Sequence, residues 1–400
     1  MRNLSTILVS ASLICLLSSS LAFGETKKNR KPDKFPPSPL ELKISDPLIP
    51  TNTNQVTDSD RLKLETAMAE LNQQAIIQLQ SGNPKAAYEI WYRELRLRRS
   101  LGTISELEGL ARVGAIAWGQ NSKENVFYIT QRLDKIQKET KKNPDPDTLE
   151  ALGFAYRQVR APKQAIETYN KLLTDLRSAN NQEAELKTLQ TLAELYLSYF
   201  DYQKAAESYE QLLALPTVKG LASVNYLQQL AYIYKQSKQY DKSVEVRNKL
   251  VEIYQTQNDP LQVTTLKLAI AADYQAQAKD NPNLLPEVYQ RYEDAYQTAW
   301  KLQQYTRASE ALEKLMGLYR TQGKIDEALE IGLILLQSQR LAVNAYGMMN
   351  AFDQVGLIYL QRNSYPQALE AFQKGLQIAK MLNFKEDYFS KQVESVQEKI

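Results

Sequence analysis

Histidine is absent from this 400-residue chain, and its one cysteine, Cys15, lies in an apolar N-terminal stretch. Without imidazole there is no Ser-His-Asp triad, no His-Glu-x-x-His zinc site and no histidine general base. If the N-terminal stretch is removed, no thiol remains for nucleophilic catalysis, a zinc ribbon or a disulfide. Glycines number only 14, which argues against a β-rich fold with many tight turns. Neither form of Gly-rich phosphate loop occurs. The net charge of +3 is too mild for a nucleic-acid surface. These absences speak against an enzyme and against nucleic acid as a partner. Carboxylate-only and Ser-Lys chemistry are the catalytic classes that composition leaves open.

Residues 1–24 read as an export signal. Arg2 opens it, Leu4 to Leu17 form its apolar core, and Ala22-Phe23-Gly24 puts small residues at the −3 and −1 positions of a cleavage after Gly24. The alternative is an uncleaved anchor, since the run approaches the roughly 20 residues that span a bilayer; Ser18, Ser19 and Ser20 favour cleavage. The residues before Cys15, Ser12-Leu13-Ile14, lack the small side chains found beside a lipidated cysteine. The expected location is therefore periplasmic or otherwise extracytoplasmic. Residues 25–57 read as a flexible Pro/Lys-rich linker. Lys27, Lys28, Arg30, Lys31 and Lys34 form a basic cluster, and Pro32, Pro36, Pro37, Pro39, Pro47 and Pro50 oppose helix. The cluster also offers a loose peripheral contact with anionic lipid or an acidic partner.

Beyond residue 57 a pattern repeats. Leu152-Gly153-Phe154-Ala155-Tyr156 is followed by Ala165 and Tyr169; Leu192-Ala193-Glu194-Leu195-Tyr196 by Ala205 and Tyr209; and Val355-Gly356-Leu357-Ile358-Tyr359 by Ala368 and Phe372. In each copy the small residue of the second segment lies 13 positions after the first anchor and the aromatic four further on. Equivalent anchors fall near Gln73, Val113, Leu230, Ile270 and Leu315, at steps close to 40 residues except the one into the seventh unit. Flanking apolar positions follow the helical period. The spacing predicts eight helix pairs over residues 58–382 and a capping helix over 383–400. The first two units are loose: Ala86 is in place, but Gln73 and Gln74 stand at the anchor and Val126 replaces a small residue. The fifth unit has Ser243 and Arg247 where alanine and an aromatic are expected. An insertion, Lys279 to Pro286, interrupts the sixth, and its Asn281 to Pro286 portion is the best candidate for a functional loop.

This pattern resembles the tetratricopeptide repeat, whose standard period is shorter; HEAT and armadillo repeats match the period better but not the small and aromatic positions. The resemblance implies an all-α fold, a right-handed α-solenoid of about eight helix pairs with a C-terminal cap. It also implies a non-enzymatic scaffold that binds a segment of another protein in a concave groove. Carried over position by position, the groove residues are Asp147, Glu150, Phe154 and Arg157; Lys187, Gln190 and Glu194; Asn225, Gln228, Tyr232 and Lys235; and Glu310, Glu313, Arg320, Asn350 and Asp353. Glu150/Phe154 and Gln190/Glu194 stand where chaperone-tail members hold lysine and asparagine, so a terminal-carboxylate clamp is not expected. Carboxylates outnumber cations in this projected lining, which suits a basic partner segment or a hard cation. The plain alternative is solvated helix charges, some in i,i+4 pairs such as Glu183/Lys187.

An exported chain of this length built of such repeats is also similar to the processing-associated tetratricopeptide family of oxygenic phototrophs. That similarity implies a periplasmic photosystem II assembly factor that binds the C-terminal region of the D1 protein and loads Mn²⁺. Without histidine, oxygen ligands alone would hold the metal, with Asp147, Glu150 and Glu194 as candidates. The alternative is a generic extracytoplasmic adaptor in envelope or membrane-complex biogenesis, with no metal role.

Overall fold

The computed structural model describes residues 35–49, 57–140 and 144–400. The export signal and the basic cluster at 27–34 lie outside the described residues. Among the described residues there are seventeen α-helices and no strand. Eight pairs follow one another: α1 (Asp58–Gln80) with α2 (Pro84–Arg98), α3 (Thr103–Gly119) with α4 (Lys123–Glu139), α5 (Pro146–Gln158) with α6 (Pro162–Ser178), and α7 (Gln182–Ser198) with α8 (Tyr202–Ala214). Next come α9 (Leu221–Gln236) with α10 (Tyr240–Thr256), α11 (Pro260–Gln277) with α12 (Leu285–Lys301), α13 (Tyr305–Thr321) with α14 (Ile325–Leu341), and α15 (Ala345–Gln361) with α16 (Tyr365–Leu382). The chain ends with α17 (Glu386–Gln397), which begins three residues after Asn383 because Asn383 and Lys385 are left-handed, with φ of 49° and 59°.

The turns are tight although glycine is scarce. Asn121, Arg160, Asn180, Lys238, Asn258 and Val343 each close a helix in the left-handed region, at φ between 52° and 59°. The next amide then reaches back five residues, as Ser122 N does to Ala117 O (2.9 Å) and Gln239 N to Tyr234 O (2.8 Å). This Schellman closure satisfies carbonyls that a helix end leaves open. Asparagine tolerates the conformation better than other side chains do. Proline opens α2 and α6 at the first position, where its missing N–H costs nothing.

Within a unit, the small residues are where the helices touch. Ala165, Ala205 and Ala368 are fully buried. A Cβ added to Gly153 would come within 2.9 Å of the Tyr169 ring, and one on Gly356 within 2.8 Å of the Phe372 ring. Each aromatic therefore lies directly over the glycine of the partner helix. Phe389 of α17 repeats the contact on Gly375 of α16, which covers the last stacking face.

Where the signature fails, other contacts replace it. In the first unit the register is one residue later than the sequence pattern suggested. Ala87 and Trp91 are fully buried, Ala86 is only half-buried, and Gln73 is exposed. Trp91 decides this, because its indole N–H donates to Asn72 at 3.0 Å. In the fifth unit Ser243 and Arg247 both bind the fully buried Asp273 of α11, at 2.6 and 2.9 Å. An ion pair to the following unit thus stands in for the aromatic. The insertion in the sixth unit is not an open loop: it forms a 3₁₀ turn, Pro282–Leu284, and Leu284 and Leu285 pack on the core.

Residues 35–49 also differ from the expected flexible linker. They contain a 3₁₀ turn, Pro39–Glu41, and lie against α2 and α4 with Leu40 fully buried. Prolines prevent an α-helix there but not docking of an extended chain.

Candidate protein-binding groove

First helices of consecutive units stand side by side, so side chains at equivalent positions on α3, α5 and α7 share one cleft. Its volume is about 740 Å³. Glu108, Ala111, Arg112 and Ala115 come from α3, Asp147, Glu150, Ala151, Phe154, Arg157 and Gln158 from α5, and Lys187, Thr188 and Thr191 from α7; Tyr169 of α6 closes the floor. The alanines leave the base of the cleft open, and Phe154 projects into it 47% exposed.

The charges hold one another in place. Lys187 Nζ meets Glu150 at 2.5 Å across the unit boundary, in place of the i,i+4 partner Glu183. The Glu150 hydrogen bond holds the Lys187 ammonium above its usual pKa. Arg157 lies 3.9 Å from Glu194. Arg112 donates to both oxygens of the fully buried Glu94 at 2.6 Å and also to Asn72. Three carboxylates (Glu108, Asp147, Glu150) therefore face three cations (Arg112, Arg157, Lys187). The cleft is charge-balanced, unlike the acidic lining projected from sequence, because Glu194 does not line it and α3 adds one carboxylate, Glu108, together with one arginine, Arg112.

The structure brings Asp147, Glu150, Phe154, Arg157 and Lys187 together here. Further along, the Gln190 amide donates to the Tyr226 hydroxyl. On α9, Asn225, Tyr232 and Lys235 are exposed, and Gln228 donates to Tyr254 at 2.8 Å. Glu310 is held by Arg307 at 3.1 Å. Glu313, Arg320 and Asn350 line a separate cleft of about 260 Å³ with Gln354, to which Arg320 donates. Loss of solvent raises the Glu313 pKa, against a Gln339 hydrogen bond that lowers it. Loss of solvent likewise raises that of Asp353, which accepts from Tyr388 at 2.7 Å.

The α3 residues were missed because the second unit is degenerate in its second helix. The offsets used elsewhere, five and two before and two after Val113, point to Glu108, Ala111 and Ala115. Arg112 lies outside those offsets, and only its ion pair with Glu94 shows why it turns toward the cleft. Among the described residues no three acidic, histidine or cysteine side chains stand together as a metal site requires. Glu150 points to Lys187 and Glu194 to Arg157, and the three candidate carboxylates Asp147, Glu150 and Glu194 are not grouped.

Residues 224–257, within α9 and α10 and the residue beyond, match the tetratricopeptide-repeat family model. The described residues form an all-helical array of consecutive packed pairs, one of which matches the tetratricopeptide repeat. The match falls on the unit whose second helix carries Ser243 and Arg247. No curated protein matches the chain. Among solved structures it is similar to BtubC from P. vanneervenii, at 18% identity over 57% of this chain and 91% of that one, with a TM-score of 0.36. A tetratricopeptide repeat protein from Parabacteroides merdae matches at 15% over 73% and 98%, TM-score 0.30. The TPR2AB domain of yeast Sti1, in its pHSP90 complex, matches at 14% over 73% and 99%, TM-score 0.28.

Proposed function

We propose that this protein is a non-enzymatic scaffold that binds a segment of a partner protein across α3, α5 and α7. The observation that carries this reading is the exposed Phe154 over an alanine floor, between paired and balanced charges. A preformed surface of this kind binds without paying for its own ordering. A segment with one apolar side chain flanked by charges of both signs suits it.

The proposal places the protein outside the cytoplasm, on the strength of the leader read in residues 1–24. No helix among the described residues is long and apolar enough to cross a membrane. Of the two placements drawn from the sequence, the metal-free envelope or membrane-complex adaptor is favoured, because the candidate carboxylates are not gathered. Photosystem II assembly, with the C-terminal region of D1 as ligand, is the other. A photo-crosslinker at Phe154 in cells should capture the partner, and one at Lys163 on α6 should not. Equal capture at both positions refutes the groove reading. A synthetic peptide of the D1 C-terminal region, titrated with and without Mn²⁺ and after chelation, separates the placements. Binding that requires the metal would restore the manganese role.

A further inference from the structure

Residues 35–49 are received by the second helices of the first two units, on different helices from those that form the groove. Phe35 lies on Phe127 with ring centroids 5.3 Å apart. Leu40 fills a closed hole at 0% exposure. Arg96 Nη1 donates to the Pro39 carbonyl at 2.9 Å. Glu41 accepts from Lys135 and lies 3.7 Å from Arg99 and 3.8 Å from Arg132. Arg93 grips Asp46 with bonds of 2.7 and 3.2 Å. Ser38 and Leu42, at φ/ψ of −62°/126° and −67°/129°, are close to polyproline II. An arginine reading a carbonyl, a hole for one leucine and a basic cradle for one carboxylate are the contacts by which a surface selects an extended peptide.

The cis segment does not saturate this surface. Arg99 Nη2 is buried without a hydrogen-bond partner although Glu41 is 3.7 Å away. Glu106 of α3 occupies the inner sides of Arg99 and Arg132, at 2.6 and 2.7 Å, which leaves Arg99 Nη2 and Lys135 to the segment and Arg132 Nη1 between Glu41 and Glu139, at 3.8 and 3.6 Å. Clefts of about 830 and 910 Å³ remain open on either side of the segment.

We propose that the α2–α4 face is a recognition site for an extended, proline-containing acidic segment of the form Pro-Leu-Glu. Residues 39–41 are its occupant in cis, and a partner segment of the same chemistry takes the site when they leave. The cis segment competes at the high effective concentration of a tethered ligand, so a free peptide meets a closed site in the native chain.

The test uses the full chain carrying Glu41→Lys, which sets like charge against the cradle and alters no residue of α2 or α4. A labelled peptide with the sequence of residues 35–49 is the probe. Its apparent affinity should be at least tenfold tighter for the variant than for the native chain. The same peptide bearing Glu41→Lys should bind neither. Hydrogen exchange is the second readout: amides of residues 40–49 should exchange at least tenfold faster in the variant, with α2 and α4 unchanged. Absence of peptide binding to the variant, equal binding to both chains, or indifference to the peptide's glutamate overturns the proposal. So does loss of protection in α2 and α4 together with the segment, which would make residues 35–49 part of the core.

Discussion

Two glycines in helix interiors provide a matched test of how the units pack. Gly317 in α13 has nothing within 4 Å of where a Cβ would stand. Gly356 in α15 would place its Cβ 2.8, 2.8 and 3.0 Å from three atoms of the Phe372 ring, and that ring is fully buried with no room to retreat. Both Gly→Ala changes gain about 1 kcal/mol of helix propensity. Only Gly356→Ala adds an overpacking cost, about 1–3 kcal/mol. Gly317→Ala should therefore stabilise by about 1 kcal/mol, while Gly356→Ala should fall below it by about 1–3 kcal/mol. Urea denaturation followed by far-UV circular dichroism measures both. Repeat arrays need not unfold in one step, so amide exchange in α15 and α16 should be read alongside. Phe372→Leu in the Gly356→Ala background should recover part of the loss, because the two changes share one contact. Equal stabilisation by the two alanines would refute the packing of aromatic over glycine.

Other outcomes follow from the same geometry. Ala165→Leu and Ala205→Leu should each cost about 1–3 kcal/mol in chemical denaturation, while Ala67→Leu, on the half-buried flank of α1, should be mild. Arg247→Ala strands the fully buried carboxylate of Asp273 and should cost about 3–5 kcal/mol; adding Asp273→Ala should restore much of it. Val343, a β-branched residue at φ 53° and 90% exposed, should be improved upon by glycine, with Val343→Gly stabilising by roughly 0.5–1 kcal/mol, read from an upward shift of the urea midpoint. Burial raises the Asp353 pKa more than Tyr388, Lys385 and Arg320 lower it, so the folded chain binds that proton more tightly than the unfolded one. Its contribution to stability therefore falls as pH rises from the ordinary aspartate value through the raised one. Asp353→Asn, which keeps an acceptor for the Tyr388 hydroxyl, should stabilise at neutral pH and lose that advantage in acid, as urea midpoints across the pH range would show.

Much of the architecture could be read directly. A small residue and an aromatic recurring at fixed offsets constrain two helices to touch at one height, so Gly153 with Tyr169 and Gly356 with Phe372 announce the pairing before any coordinates exist. The same arithmetic on Val113 leads to three of the four α3 residues in the groove. It fails at Arg112, whose direction depends on Glu94 from another helix.

The periodicity alone therefore determined helix type and pairing, and the contact height in the units that keep the small and aromatic residues, because these follow from local spacing and the size of side chains in register. Tertiary structure decided the choice of Ala87 over Ala86, the ion pair of Arg247 with Asp273, the charge balance of the cleft and the docking of residues 35–49. Each of those depends on partners far apart in sequence, such as Arg93 with Asp46, whose attraction counts only when folding has brought them to hydrogen-bonding distance and removed the water between them.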